Sequence, residues 1–173
     1  GKLTEITDEI DRAMYHAGIK LLKEKGYERY EISNFAKRGY ESRHNLKYWE
    51  MAPYLGLGLG ASSFIDNIRV MNVCSLDEYF NLTGKGLAPS AEVHENSEHD
   101  SVAEAVFTGL RKLEGIRYED VLGSYEKFWE YYSDVFEEAR EYEREGKLVI
   151  GEEGMRLTDE GIDISNSIMA LFV

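Results

Sequence analysis

The nitrogen and sulfur side chains best suited to a transition metal are few in this 173-residue chain: one cysteine, Cys74, and four histidines. One histidine stands in a distinctive setting. His44-Asn45-Leu46-Lys47-Tyr48-Trp49 places an imidazole, an amide and two aromatic rings in one short string. Tyr30-Glu31-Ile32-Ser33-Asn34-Phe35 precedes it, and a glycine-punctuated run, Gly56-Leu57-Gly58-Leu59-Gly60-Ala61, follows. Imidazole and thiolate are both metal ligands. The plainer use of His44 and Asn45 is to fix a loop by hydrogen bonds to backbone, with Tyr48 and Trp49 as core. A lone cysteine is more often a buried, inert side chain than an iron ligand. His94 and His99 have carboxylates nearby, but solvated loop histidines fit that polar stretch better. These residue types alone do not name a function.

The elements that would position these groups can be read from the pattern. Residues 3–25 carry apolar side chains at helical spacing (Ile10, Ala13, Met14, Ala17, Leu21, Leu22), with Thr7 as N-cap and Gly26 as stop. A short strand is expected over 27–33. Helix, glycine, strand is the rhythm of an α/β repeat, and one repeat cannot make a domain, so this stretch reads as the end of a larger unit. Residues 36–48 read as a loop, made locally basic by Lys37, Arg38, Arg43, His44 and Lys47. A strand over 54–65 has glycines at alternate positions, which clears one face for another backbone or a flat ligand. A second strand over 68–73 follows a turn at Asp66-Asn67, and Ser75 caps a short helix.

Residues 87–100 are polar, contain a proline and read as a linker. Beyond it, Val102, Ala105, Val106, Leu110 and Leu113 mark a helix face, and 118–122 a short helix. One long helix is expected over 124–145, lined by Tyr125, Phe128, Trp129, Tyr132 and Phe136. Strands at 147–150 and 155–157 flank the turn Gly151-Glu152-Glu153-Gly154, and Thr158 caps a last helix. Helices, a β-hairpin wing and a helix make a winged-helix-like order.

Composition limits the function. With 20 basic and 33 acidic residues, the net charge of −13 should repel phosphate backbones, and Glu152 and Glu153 make the wing acidic. A nucleic-acid partner is therefore not expected, and the wing reads as a packing element. No run approaches the roughly 18 apolar residues of a membrane helix. With one cysteine an internal disulfide is impossible, which fits a cytoplasmic location.

The strings YEISNFA (30–36) and HNLKYW (44–49), in that order before a glycine-rich strand, resemble the C-terminal half of the oxygen-independent coproporphyrinogen III oxidase-like radical-SAM proteins. The heme-chaperone branch is the most similar. The resemblance implies an α+β fold, with the end of an α/β barrel (helix plus strands) and a β-rich segment over 1–88, and a small helical winged-helix-like C-terminal domain over 100–173. It also implies that an N-terminal radical-SAM half is missing here, because that half carries a CxxxCxxC motif for a 4Fe–4S cluster and this chain has one cysteine. The cluster and S-adenosylmethionine would belong to the full-length parent, and this chain alone should be inactive. Two positions depart from the family pattern: Ser62 stands where a histidine is frequent, and Arg38 where a proline is common.

By the same resemblance, His44, Asn45, Tyr48 and Trp49 would handle heme, with His44 as the iron ligand and Arg38, Arg43 and Lys47 near the propionates. Ile32 would border the S-adenosylmethionine pocket, at the barrel end where such enzymes build their sites. The implied function is in heme or porphyrin metabolism: passing heme to an acceptor protein, or oxidative decarboxylation of coproporphyrinogen III. The alternative is a non-catalytic protein-interaction module, whose winged-helix-like C-terminal half docks a partner protein while the front half is scaffold.

Overall fold

Helix α1, Asp8–Glu24, starts where the Thr7 hydroxyl accepts the Ile10 N–H, with Asp8, Glu9 and Asp11 meeting the positive end of the helix dipole. The structure is a computed structural model and describes residues 6–173, so the part of the expected helix at 3–5 lies outside the described residues. Gly26, with φ of 78°, turns the chain out of the helix. The strand expected over 27–33 shortens to β1, Glu28–Arg29, paired antiparallel with β2, Phe35–Ala36. The cause is Glu31. Its fully buried carboxylate accepts the Ser33 N–H at 2.9 Å and the Asn34 amide, folding the chain back on itself.

The loop expected over 36–48 is in part a helix, α2, Arg43–Trp49. Ser42 is its N-cap, with its hydroxyl 3.3 Å from the Asn45 N–H, and the residues from Arg43 to Trp49 contain no glycine or proline to break it. The glycine run is a loop, not a strand. Gly58 and Gly60 have φ of 106° and 63°, and Gly56 sits so close to Ser62 that a Cβ would meet its carbonyl. The expected close approach of backbone therefore occurs at one glycine. Strand β3, Ser62–Ile65, pairs with β4, Ile68–Asn72, across Asp66 and Asn67, which both take positive φ. Ser75 caps α3, Leu76–Gly84.

The expected linker contains a strand, β5, Ser90–Glu95, antiparallel to β4. All six of its residues are exposed, so its polarity marks an edge strand rather than a loop. Helix α4, Glu98–Gly109, then opens on a capping box: the Ser97 hydroxyl accepts the Asp100 N–H at 3.1 Å and the Asp100 carboxylate accepts the Ser97 N–H at 2.9 Å. Those Ser97 donors also hold the Asp100 carboxyl below its ordinary pKa.

The rest of the chain is β6 (Ile116–Arg117), α5 (Tyr118–Val121), α6 (Tyr125–Tyr131), α7 (Phe136–Arg144), β7 (Leu148–Ile150), β8 (Gly154–Leu157), α8 (Asp159–Ile162) and α9 (Ser165–Met169). A 3-10 turn, Ala170–Phe172, follows α9, so the expected last helix is in pieces. The long helix expected over 124–145 is also broken, between α6 and α7. At the break Tyr132 turns inward and donates its hydroxyl to the Phe172 carbonyl at 3.0 Å, while Trp129 packs on Phe136 at 4.8 Å. The three strands form one antiparallel sheet in the order β6-β8-β7. Val106, Leu110, Phe128, Ala139, Ile168 and Met169 have no exposed surface and centre the core. By contrast α1 has no buried residue, and Ile10, Met14 and Leu21 are 51%, 60% and 57% exposed.

Candidate functional site

On α2, His44 and Tyr48 stand one turn apart on one face. The His44 Nε2 lies 3.2 Å from the Tyr48 hydroxyl, and the rings meet edge to face at 4.9 Å. His44 is exposed and Tyr48 half-buried. Tyr48 in turn packs edge-on against Tyr54 at 4.6 Å.

Tyr54 leads into an ionic cluster. Its hydroxyl accepts from Arg69 Nη1 at 3.3 Å. Arg69 donates to both Glu104 oxygens, Nε at 2.8 Å and Nη2 at 2.7 Å, and lies 4.8 Å from the centre of the Phe64 ring. The Asn96 amide donates to the same carboxylate at 2.8 Å. The Glu104 hydrogen bonds raise the Arg69 pKa above its ordinary value, so this guanidinium stays charged. The face of α2 that carries His44 is thereby joined to β4 and α4. Sequence reasoning missed Tyr54, Arg69 and Glu104. A cation inside Ile68-Arg69-Val70-Met71 was the available signal, since a charge in an apolar strand needs a partner.

The other expected site residues separate. Trp49 turns inward: the Arg111 guanidinium lies 4.5 Å above its ring, and its indole N–H is buried without a partner. Asn45 is half-buried, and its backbone N–H closes the Ser42 cap. Arg43 and Lys47 are exposed on α2, and Arg38 is exposed in the preceding turn. In that turn Glu41 accepts the Gly39 N–H at 3.0 Å. Its own backbone N–H and that of Gly39 lower its pKa, with Arg38 contributing less.

Ile32 is elsewhere. Its N–H donates to the Arg111 carbonyl at 3.0 Å and its carbonyl accepts the Tyr15 hydroxyl at 2.7 Å. Its side chain lines an open cleft of about 430 Å³ with Asp11, Arg12, Tyr15 and Asp163. Arg111 touches both Ile32 and Trp49, and is the link between these two expected sites.

Cys74 is exposed, against the expectation of a buried thiol, because it lies just beyond β4 in the turn that leads to α3. His94 lies 3.7 Å from Asp100 and His99 stacks loosely on Tyr131 at 6.4 Å, so the two histidines do not converge. Among the described residues no group of three His, Cys, Asp or Glu side chains is placed to hold a metal ion. An apolar hollow of about 480 Å³ opens among Leu55, Leu57, Ile65, Ile68, Val70 and Tyr79. Among the described residues no helix is long and apolar enough to cross a membrane.

Comparison with known proteins places this arrangement. Residues 96–164 match the HemN C-terminal domain. Over its full length the chain is 30% identical to the heme chaperone HemW of Bacillus subtilis (strain 168) and spans 45% of that protein. It is 29% identical to the mitochondrial radical S-adenosyl methionine domain-containing protein 1 of Bos taurus, aligned over 98% of this chain and 40% of that one. The chain thus spans less than half the length of these curated relatives. The solved structure of Escherichia coli coproporphyrinogen III oxidase (HemN), a radical SAM enzyme, superimposes on 96% of this chain with a TM-score of 0.76, at 17% identity and over 42% of its own length. That likeness gives the fold: a mixed helix-and-strand unit of HemN type. The chain belongs to the oxygen-independent coproporphyrinogen III oxidase-like radical-SAM family and corresponds to the C-terminal part of its members.

Proposed function

We propose that this chain is the heme-handling part of a cytoplasmic heme chaperone, with His44 on α2 as the iron ligand. One observation carries the reading: His44 is exposed on a short capped helix whose other exposed side chains include Arg43 and Lys47. An exposed neutral imidazole can enter a metal's coordination sphere, and the two cations can meet porphyrin carboxylates. Tyr48 offers an aromatic edge beside the ligand. Asn45 and Trp49 support the helix from within, so their role is to position it. The HemW relatives, described as heme chaperones, support the same reading.

A single cysteine cannot hold a 4Fe–4S cluster, so the residues of this chain do not fit that group. The cluster and S-adenosylmethionine belong to the remaining length of such a protein, with Ile32 bordering the latter's pocket. Within that protein 1–88 closes the barrel and 100–173 forms the helical domain with its hairpin wing. Heme would pass from α2 to an acceptor protein.

Oxidative decarboxylation of coproporphyrinogen III, the other function the resemblance implies, would instead use the same surface as a substrate-side wall; the E. coli neighbour is named a coproporphyrinogen III oxidase. A second reading, a protein-interaction module, draws on the exposed face of α1, which offers Ile10, Met14 and Leu21 to a partner. Hemin titration followed by absorbance tests the first reading. Saturable binding with a Soret shift is expected, and His44→Ala should abolish the shift while leaving the far-ultraviolet circular dichroism unchanged. Saturable binding that the variant does not alter would remove His44 from the site.

A further inference from the structure

We infer that Tyr48 gates the metal-binding nitrogen of His44, so that iron reaches the imidazole only when the Tyr48 hydroxyl lets go. The inference rests on the reading of His44 as the heme ligand and adds a competitor for the same atom. Nδ1 of a helical histidine lies beside its own Cβ and the backbone, where a porphyrin macrocycle would collide, so Nε2 is the nitrogen open to a metal. Nε2 is also the atom 3.2 Å from the Tyr48 hydroxyl. The conclusion does not depend on the tautomer. An unprotonated Nε2 spends its lone pair on the phenol O–H, and a protonated Nε2 donates to the phenol oxygen. Either way, a metal at Nε2 breaks this hydrogen bond.

Tyr48 is also not free to drift aside. Its ring is braced edge-on between His44 at 4.9 Å and Tyr54 at 4.6 Å. The Tyr54 hydroxyl is held by Arg69, which Glu104 grips through two hydrogen bonds. The strength of the gate is therefore set partly by residues on β4 and α4, which would not touch the heme.

Hemin titrations of the 173-residue chain and three variants test this: Tyr48→Phe, His44→Ala and the double variant. Loss of one neutral hydrogen bond should tighten hemin binding of Tyr48→Phe about 2- to 10-fold. The histidine-ligated Soret position should be unchanged, and the gain should vanish in the His44→Ala background. Equal or weaker binding by Tyr48→Phe, with His44→Ala still abolishing the shift, overturns the gate and leaves His44 as ligand. A gain that survives His44→Ala also overturns it, since the effect would not pass through the imidazole. If His44→Ala binds hemin as wild type does, the ligand reading fails and the gate fails with it. Tyr48→Leu, which also removes the hydroxyl, serves if Tyr48→Phe does not fold.

Discussion

Glu31 shows how one side chain can redirect an element. In sequence it sits within Tyr30-Glu31-Ile32-Ser33, a stretch that reads as strand. In the structure its carboxylate is fully buried: one oxygen serves the Ser33 N–H and the Asn34 amide, and the other has no partner. Glu31→Ala would take the acceptor away from the Ser33 N–H and the Asn34 amide and should lower stability by about 1–2 kcal/mol. Glu31→Gln keeps an acceptor oxygen for both donors, so it should cost less than Glu31→Ala. Urea unfolding midpoints of the two variants check the order, and equal losses would contradict it. The candidate site is legible at this same scale only in part. His44 and Tyr48 were found from their string and do meet in space, but Ile32 and Trp49 face other neighbours. Their partners, Tyr15 and Arg111, are distant in the chain, so spacing could not reveal them.

Among elements, caps and turns were readable and breaks were not. Thr7, Ser75 and Thr158 cap helices as expected because a hydroxyl before an acidic first turn is a local signal. The break between α6 and α7 has no glycine or proline. It follows from the long-range pull of Phe172 on Tyr132. Strand β5 was hidden for a related reason, since its residues lack the apolar alternation of a half-buried strand. It matters to the site because it continues the sheet up to Asn96, which orients Glu104 toward Arg69. That ion pair joins β4 to α4 with side chains about one-third exposed, 35% and 30%. A double-mutant cycle on Arg69→Met and Glu104→Gln should give a coupling of about 1 kcal/mol, measured by denaturant unfolding. A coupling near zero would show that the bidentate contact adds no stability. Gly56 is the other element-scale constraint. Gly56→Ala would push Cβ into the Ser62 carbonyl and should destabilise by about 1–3 kcal/mol, measurable as a lowered thermal midpoint.

Over the whole molecule the core is lopsided, dense around Phe128 and Ile168 and thin beneath α1. Mean composition could not show this, because the amphipathic face of α1 is present in the sequence whether or not anything covers it. Met14→Glu should change stability by less than about 0.5 kcal/mol, since the side chain is 60% exposed, and should lower binding of an apolar dye. The dense side responds to pH. Burial pushes the Tyr118 and Tyr132 hydroxyls above their ordinary pKa, helped at Tyr132 by Tyr131 and Asp134. Folded tyrosines that keep their protons while unfolded ones lose them make stability fall as pH rises above about 10, by up to ~1.4 kcal/mol per pH unit for each. Unfolding midpoints measured from pH 8 upward should drop across that window, and Tyr132→Phe should flatten the drop. A second antiparallel sheet, in the order β3-β4-β5, ends on β5, whose outward backbone groups have no neighbouring strand among the described residues. Such an edge can seed growth of fibrils. Here it carries Glu92, His94 and Glu95 on a chain of net charge −13, so mutual repulsion guards it near neutral pH. Acidification would weaken the guard, and the protein's shelf life would then be set by one strand rather than by its core.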